Sequence, residues 1–353
     1  MFQSLPPHLV DFSSYRMPAE WEAHEATWLA WPKNLETWPE HMDEARRTYL
    51  DIIQALVEYE SVSLIVENIA DTETIQLALS KRGISESKIR FFNYPYNDSW
   101  MRDAGPLFVV SPSASDPILA NDFIFNAWGD KYQPWNADDV LPQKISKDLD
   151  IPVVCHDLVL EGGSIDLNGR GTLITTEQCL LNSNRNPSLS KSEIEGVLKK
   201  FLGIQRVLWL GEGIEGDDTD GHVDDITRFV DDTRVLTVLE NSKSDPNYEP
   251  LKENWNRLKA MGDQDGNRLE VVDIPMPDRF LEGPFGRSPA SYANFYIANR
   301  CVLVPTYAAP NEASVLSIFK DLFPDREIIP IDCVGLVCGL GSIHCITQQQ
   351  PAV

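Results

Sequence analysis

Basic residues are scarce in this chain: 30 lysines and arginines stand against 54 acidic residues, a formal net charge of −24. Nucleic acids and anionic membranes both call for basic patches, so this balance argues against either as a partner. It suits the steering of a small cation into a cleft, although many proteins are acidic for solubility alone. Cysteine is sparse too. The six, at positions 155, 179, 301, 333, 338 and 345, are too scattered for a disulfide scaffold and predict reduced thiols in a cytoplasmic protein. No apolar run approaches the length of a membrane helix. The opening MFQSLPPHLVDFSS lacks the basic start and apolar core of a signal peptide. No glycine-rich loop follows an early strand to open a helix, which excludes a dinucleotide fingerprint and a P-loop. Low-complexity segments and sequence repeats are also missing.

What is present reads as a soluble globular chain of 353 residues, 42% apolar and 24% charged, long enough for one large domain or two ordinary ones. Met42, Ala45, Tyr49, Ile52, Ile53, Leu56 and Val57 recur at helical spacing and predict a helix over 40–58, leading into a buried strand at 62–66. Ser190 and Glu193 form a capping box for a helix over 191–202, with Gly203 at its stop. A third helix starts at Asn311. Strand candidates lie at 106–110, 123–125, 172–176, 206–210, 234–239 and 301–305. The class is mixed α/β, with strands outnumbering helices.

Polar residues cluster on the connections. In NDSWMRDAGPLFVV, Asp103 before Gly-Pro is either a turn residue or a ligand, and Trp100 either core or pocket wall. In LVLEGGSIDLNGRG, Glu161 ends an apolar run and belongs in solvent unless a cation meets it. Asp166 in the same stretch reads as a hairpin residue without a chemical role. GDDTDGHVDDITRFV fails as a calcium loop: with Gly221 as the loop glycine, Gly216 and Thr227 occupy positions that need Asp and Glu. His222 and Asp224 would share a face if on a strand. A histidine among carboxylates should have a raised pKa and be fit for proton transfer, although a lone histidine is more often structural. Arg185, in LLNSNRNP, reads as part of a polar turn. In CGLGSIHCITQQQP, Cys338, His344 and Cys345 lack metal-ligand spacing, so Cys345 reads better as a nucleophile. A thiol, an imidazole and several carboxylates on an α/β scaffold suit a planar cation, since carboxylates pair bidentately with guanidinium and a thiolate can attack its carbon.

Six motifs in order, MPAEWEAHEATWLAWP, WMRDAGP, LEGGSID, LLNSNRNP, DDTDGHVDDITRF and GSIHCITQQQP, span nearly the full chain. On these the sequence resembles the agmatine deiminases, which share a family with the bacterial type of peptidylarginine deiminase in the guanidine-modifying superfamily. The resemblance implies a single catalytic domain over 1–353 with the five-bladed α/β propeller (pentein) fold of pseudo-fivefold ββαβ units. It implies Cys345 as nucleophile, His222 as general acid and base, and Glu161 as the carboxylate supporting the histidine. Asp103 and Asp224 would grip the guanidinium, Trp100 would wall the pocket, and Asp218 is a weaker candidate for the far amine. No metal or organic cofactor is implied, the partner is a small cationic guanidino substrate, and an even-numbered homo-oligomer is in keeping with the family.

The implied reaction is hydrolysis of agmatine to N-carbamoylputrescine and ammonia, in putrescine and polyamine biosynthesis. The alternative is deimination of free or peptidyl arginine, whose carboxylate should need an Arg or Lys partner. A cation-binding protein without turnover would leave Cys345 and His222 unexplained. Trp21, Trp28, Trp31 and Trp38 are left open between core and pocket rim.

Overall fold

The computed structural model describes residues 4–353, and five small sheets in it share one pairing order. In each, a short strand runs antiparallel to a central strand, and the central strand runs parallel to a third reached through a helix. The first joins Leu107–Val110, Ile118–Ile124 and Val153–Val159 across the helix Leu141–Leu149. The second joins Ile165–Leu167, Thr172–Thr176 and Arg206–Leu210 across Lys191–Leu202. The third joins Thr227–Phe229, Arg234–Leu239 and Glu270–Pro275 across Tyr248–Ala260. The fourth joins Tyr296–Ala298, Cys301–Thr306 and Glu327–Asp332 across Glu312–Leu322. The fifth takes its short strand, Gln348–Pro351, from the C-terminal end and pairs it with His24–Ala30, itself beside Ser61–Val66 across Met42–Leu56. The helices follow from the pairing, because parallel neighbours need a crossover.

Local sequence explains the elements it predicted. Ser190 accepts from the Glu193 N–H while Glu193 reaches back to the Ser190 N–H, and Gly203 closes that helix in the left-handed region at φ 69°. Ile52, Ile53 and Leu56 of Met42–Leu56 are fully buried, each contributing about 1.5–3 kcal/mol. The strand expected at 123–125 instead spans Ile118–Ile124. Asn121 and Asp122 break its apolar pattern, yet both are buried and bonded, Asn121 to Leu107 and His156, and Asp122 to Gln143. Tyr248–Ala260 escaped prediction because only Leu251, Asn254 and Leu258 of its residues are buried. Trp28, Trp31 and Trp38 are core, Trp21 packs half-buried against it, and none of the four lines the cavity that reaches Cys345. Among the described residues no helix is long and apolar enough to cross a membrane.

Candidate active site

The short strand of each sheet is entered through a tight turn, and these turns carry the polar residues singled out above. Met101–Ala104 holds Asp103 before Leu107, and Glu161 precedes Gly162–Ser164 before Ile165. His222 precedes Val223–Asp225 before Thr227, and Ile343–Ile346 holds Cys345 before Gln348. The equivalent place in the remaining sheet, just before Tyr296, is Asn294. His222 and Asp224 therefore lie on a turn and not on the strand considered for them.

Gly163 marks where the turns meet. A Cβ there would lie 2.6 Å from His222 Nδ1, 2.9 Å from Asp103 Oδ1 and 3.0 Å from Asp224 Oδ2. Its N–H donates to Asp103 Oδ1 at 2.8 Å, and Trp128 Nε1 donates to Asp103 Oδ2 at 2.9 Å. Trp128 belongs to a run of left-handed residues, Ala127, Trp128, Gly129 and Asp130, with Trp128 at φ 55°. Such a backbone costs of order 1–3 kcal/mol per strained residue and is held where the surroundings over-determine it. Burial, with the Glu161 charge adding to it, lifts the Asp103 carboxyl to about 7, although the Trp128 and Gly163 hydrogen bonds work the other way.

Cys345 is buried beside carboxylates. Its Sγ lies 3.8 Å from Asp224 Oδ2 and accepts from Asn294 Nδ2 at 3.1 Å. Burial pushes its pKa well up, and the charges of Asp224, Asp225 and Asp103 push the same way. In the free protein the sulfur is a thiol. Thr347 Oγ1 donates to the carbonyls of Ile343 and His344, and Gln348 Nε2 donates to Pro106 O, so side chains after the cysteine tie this loop down. Gly341 and Gly339 are required by close approach: a Cβ on them would lie 2.3 Å from the Trp100 ring and 2.4 Å from Trp38 Nε1.

Glu161 is fully buried rather than solvated, and the cation that meets it is Arg185, whose Nε donates at 2.6 Å. Arg185 also pairs with Asp220 at 2.7 Å, so its turn holds the Glu161 carboxylate in place. A Glu161 oxygen, the Cys179 thiol and a His222 ring nitrogen lie within 4.8 Å of one another, without a hydrogen bond between Glu161 and His222. His222 Nδ1 stands 3.8 Å from Asp103 Oδ1. Its pKa is not raised but pushed well below the usual value, by burial first and then by Arg185. Proximity of carboxylates suggested the opposite sign; desolvation of a fully buried ring outweighs them. Asp217 accepts the N–H groups of Thr219, Gly221 and His222, so the aspartate run is knotted by its own backbone. Asp166 is likewise not a plain hairpin residue: it is buried in an ion pair with Arg228.

A cavity of about 500 Å³ opens onto Cys345. Trp100, Phe125, Trp128, Tyr132 and Trp135 supply aromatic wall, while Glu36, Asp98, Asp103, Asp138 and Asp218 supply carboxylates. Trp100 is thus both buried and pocket wall. Asp218 accepts from the Tyr132 hydroxyl, and burial raises its carboxyl to about 6. Among the described lining residues Lys131 is the one cation, and it is paired with Asp220 at 2.9 Å. His222, Glu161 and Asp224 lie behind this wall rather than on it. Two groups of three donors, Glu161–Cys179–His222 and Asp224–Asp225–Cys345, could approach a metal ion. One oxygen of each carboxylate already engages Arg185, His344 or Asn294, and neither group offers the four-ligand set of a structural zinc site.

Sequence reasoning missed Asn294, Trp128 and Glu20. Asn294 sits in the apolar run SYANFYIA, where an isolated amide is costly unless bonded, and that was its only signal.

The chain matches the family model described as Porphyromonas-type peptidyl-arginine deiminase over residues 16–351. It is 37% identical to an agmatine deiminase of Medicago truncatula over 372 residues, covering 97% of this chain and 98% of that one. It is 36% identical to an agmatine deiminase of Ectopseudomonas mendocina over 363 residues, covering 96% of each. The solved agmatine deiminase of Enterococcus faecalis superposes with a TM-score of 0.89 at 33% identity, covering 99% of this chain and 98% of that one. With the motifs in order and the fold matched end to end, this chain belongs to the Porphyromonas-type peptidyl-arginine deiminase family.

Proposed function

We propose that this chain hydrolyses agmatine to N-carbamoylputrescine and ammonia, in the supply of putrescine for polyamines. The observation that carries the choice of substrate is the cavity's charge: five carboxylates against one lysine that is already ion-paired. Agmatine is cationic at both ends, with four methylenes between that suit an aromatic wall. The carboxylate of arginine would meet Glu36, Asp98, Asp138 and Asp218 with no free cation among the described lining residues. Deimination of free or peptidyl arginine is therefore the second reading.

In this scheme Asp103 and Asp224 hold the guanidinium plane, and its charge favours the Cys345 thiolate over the thiol. His222, neutral because buried beside Arg185, takes the proton the thiol gives up. The sulfur bonds to the guanidinium carbon, and the carbon–nitrogen bond breaks as His222 protonates the departing ammonia. Water then attacks the carbon, losing its proton to His222, and the carbon–sulfur bond breaks to leave the ureido product. Glu161 supports His222 from behind, and Asp218 faces the far ammonium. The repeated pairing order of the five sheets supports a closed five-bladed propeller in one domain, with all five turns facing its axis. Among the described residues no disulfide joins the six cysteines, which suits a cytoplasmic setting.

Ammonia release from agmatine, arginine and an arginyl peptide tests the reading. Agmatine should be preferred by at least 100-fold in kcat/KM, roughly 2.7 kcal/mol of transition-state discrimination. Comparable turnover of arginine would overturn it, as would Cys345→Ser retaining normal turnover.

A further inference from the structure

His344, next to the nucleophile, has no part in the scheme above, yet its ring is the most tightly bracketed group near the site. Nδ1 lies 2.7 Å from Asp224 Oδ2, and Nε2 lies 2.8 Å from Glu20 Oε2. Both partners are carboxylates, which only accept when ionised. Two hydrogen bonds need two hydrogens among the three groups. Whichever side of the Asp224–His344 bond carries its hydrogen, the triad has a net charge of −1. On one side it is carboxylic acid with neutral imidazole, and on the other carboxylate with imidazolium.

The far end of the triad is fixed. Glu20 accepts from Ile297 N at 2.7 Å and pairs with Arg228 at 2.9 Å and Arg102 at 3.4 Å. Against the cost of burial, Arg228, His344 and Arg102 hold it well below the usual carboxylate range. The near end is poised. Burial and then the Asp103 charge push Asp224 well up, while burial and then Arg102 and Arg228 push His344 well down. Both shifts favour the hydrogen on Asp224 over His344. The charged groups facing the ring are Asp224, Glu20, Arg102 and Arg228, all buried. Asp224 Oδ1 is buried with no hydrogen-bond partner, an acceptor left open beside Cys345.

We infer that His344 is a proton-holding positioning residue: when a guanidinium reaches Asp224, the Oδ2–H bond breaks and an Nδ1–H bond forms on His344. The carboxylate that grips the substrate is then ionised without releasing a proton to water, and Glu20 accepts the ring's Nε2–H before and after the transfer. The triad's net charge stays at −1 throughout. This rests on the guanidine-hydrolase reading of the site.

The test uses Cys345→Ser enzyme, so that no thiol proton enters the count and bound agmatine is not consumed. Histidine ring ¹⁵N spectra, assigned with His344→Gln, should show one protonated nitrogen on His344 in the free enzyme and two with agmatine bound. Calorimetry in buffers of different ionisation enthalpy should show about one more proton released per agmatine when His344→Gln is added, the equivalent of the single proton exchanged in the triad. A His344 ring whose protonation stays the same on saturation overturns the inference, as does an unchanged proton count. If agmatine shows no binding, the proposed substrate falls instead. Methylguanidinium, which carries the reacting head alone, then reads the His344 ring in the same way.

Discussion

Asn294 Nδ2 donates to Cys345 Sγ at 3.1 Å, while its Oδ1 accepts the His344 N–H at 2.9 Å. One amide thus holds both the sulfur and the backbone that presents it. Its second donor contact, to Asp225 Oδ1 at 2.9 Å, ties it to the acidic side of the site.

Asn294→Ala removes a donor to a developing thiolate and leaves the His344 N–H only its bond to the carbonyl of residue 294. A hydrogen bond to a charged group is worth about 1.5–3 kcal/mol, so kcat should fall roughly 10- to 100-fold. Asn294→Asp should do worse, since another carboxylate beside Asp225 and the sulfur opposes thiolate formation. The pH profile of Cys345 alkylation should move to higher pH in Asn294→Asp. A profile that stays in place would show that the amide does not act on the sulfur.

Burial lifts four carboxyls: Asp103 and Asp138 of the cavity to about 7, Asp218 of the cavity to about 6, and Asp166, paired with Arg228, to about 6. A raised pKa contributes stability that is complete below the unfolded value and is lost as pH rises through the folded one. The free protein's melting temperature should therefore fall as pH rises from about 4, the unfolded value, to about 7, the highest of the folded ones. A guanidinium needs Asp103 ionised, so the affinity of Cys345→Ser for agmatine should run the other way. Below about pH 7 it should weaken by up to tenfold per unit for that one proton. Calorimetric melts and titrations across this range check both signs, and affinity that strengthens toward low pH would remove Asp103 from the binding role.

Signals confined to a few residues were legible. Ser190 and Glu193 announced their helix because a capping box is local, and Cys345, His222, Asp103 and Asp224 stood out as costly polar residues on connections. The fivefold repetition was not legible, because pairing repeats while residues do not: the turns entering the short strands read MRDA, GGS, VDD and IHCI. Glu20 was invisible for a related reason. Its partner His344 lies 324 residues away, and no local pattern encodes such a contact. The sign of the His222 shift also depended on burial, which sequence proximity to aspartates does not report.

Two glycines should respond oppositely to alanine. At Gly163 the new methyl would sit among His222, Asp103 and Asp224 at 3.0 Å or less, so those groups must part. Activity should drop at least 100-fold, while stability falls by about 1–3 kcal/mol, the ordinary cost of overpacking. Gly196, within Lys191–Leu202, meets nothing within 4 Å. Gly196→Ala should stabilise by about 0.5–1 kcal/mol with kcat unchanged, because alanine loses less backbone freedom in a helix. Denaturant melts with parallel assays separate the two, and a fully active Gly163→Ala would contradict the convergence of the three groups.

Trp128 gives the most direct handle on Asp103. Its Nε1–H donates to Oδ2 and lowers that carboxyl against the rise caused by burial. Trp128→Phe keeps an aromatic ring on the cavity wall and removes the donor alone. The left-handed backbone at 128 carries a Cβ in either case, so its strain is unchanged. The midpoint for agmatine binding to Cys345→Ser should accordingly move above about 7, with affinity at pH 9 nearly restored once Asp103 is ionised again. A loss of affinity equal at every pH would mean that Trp128 acts by shape alone, and the hydrogen bond would then have no part in charging the site.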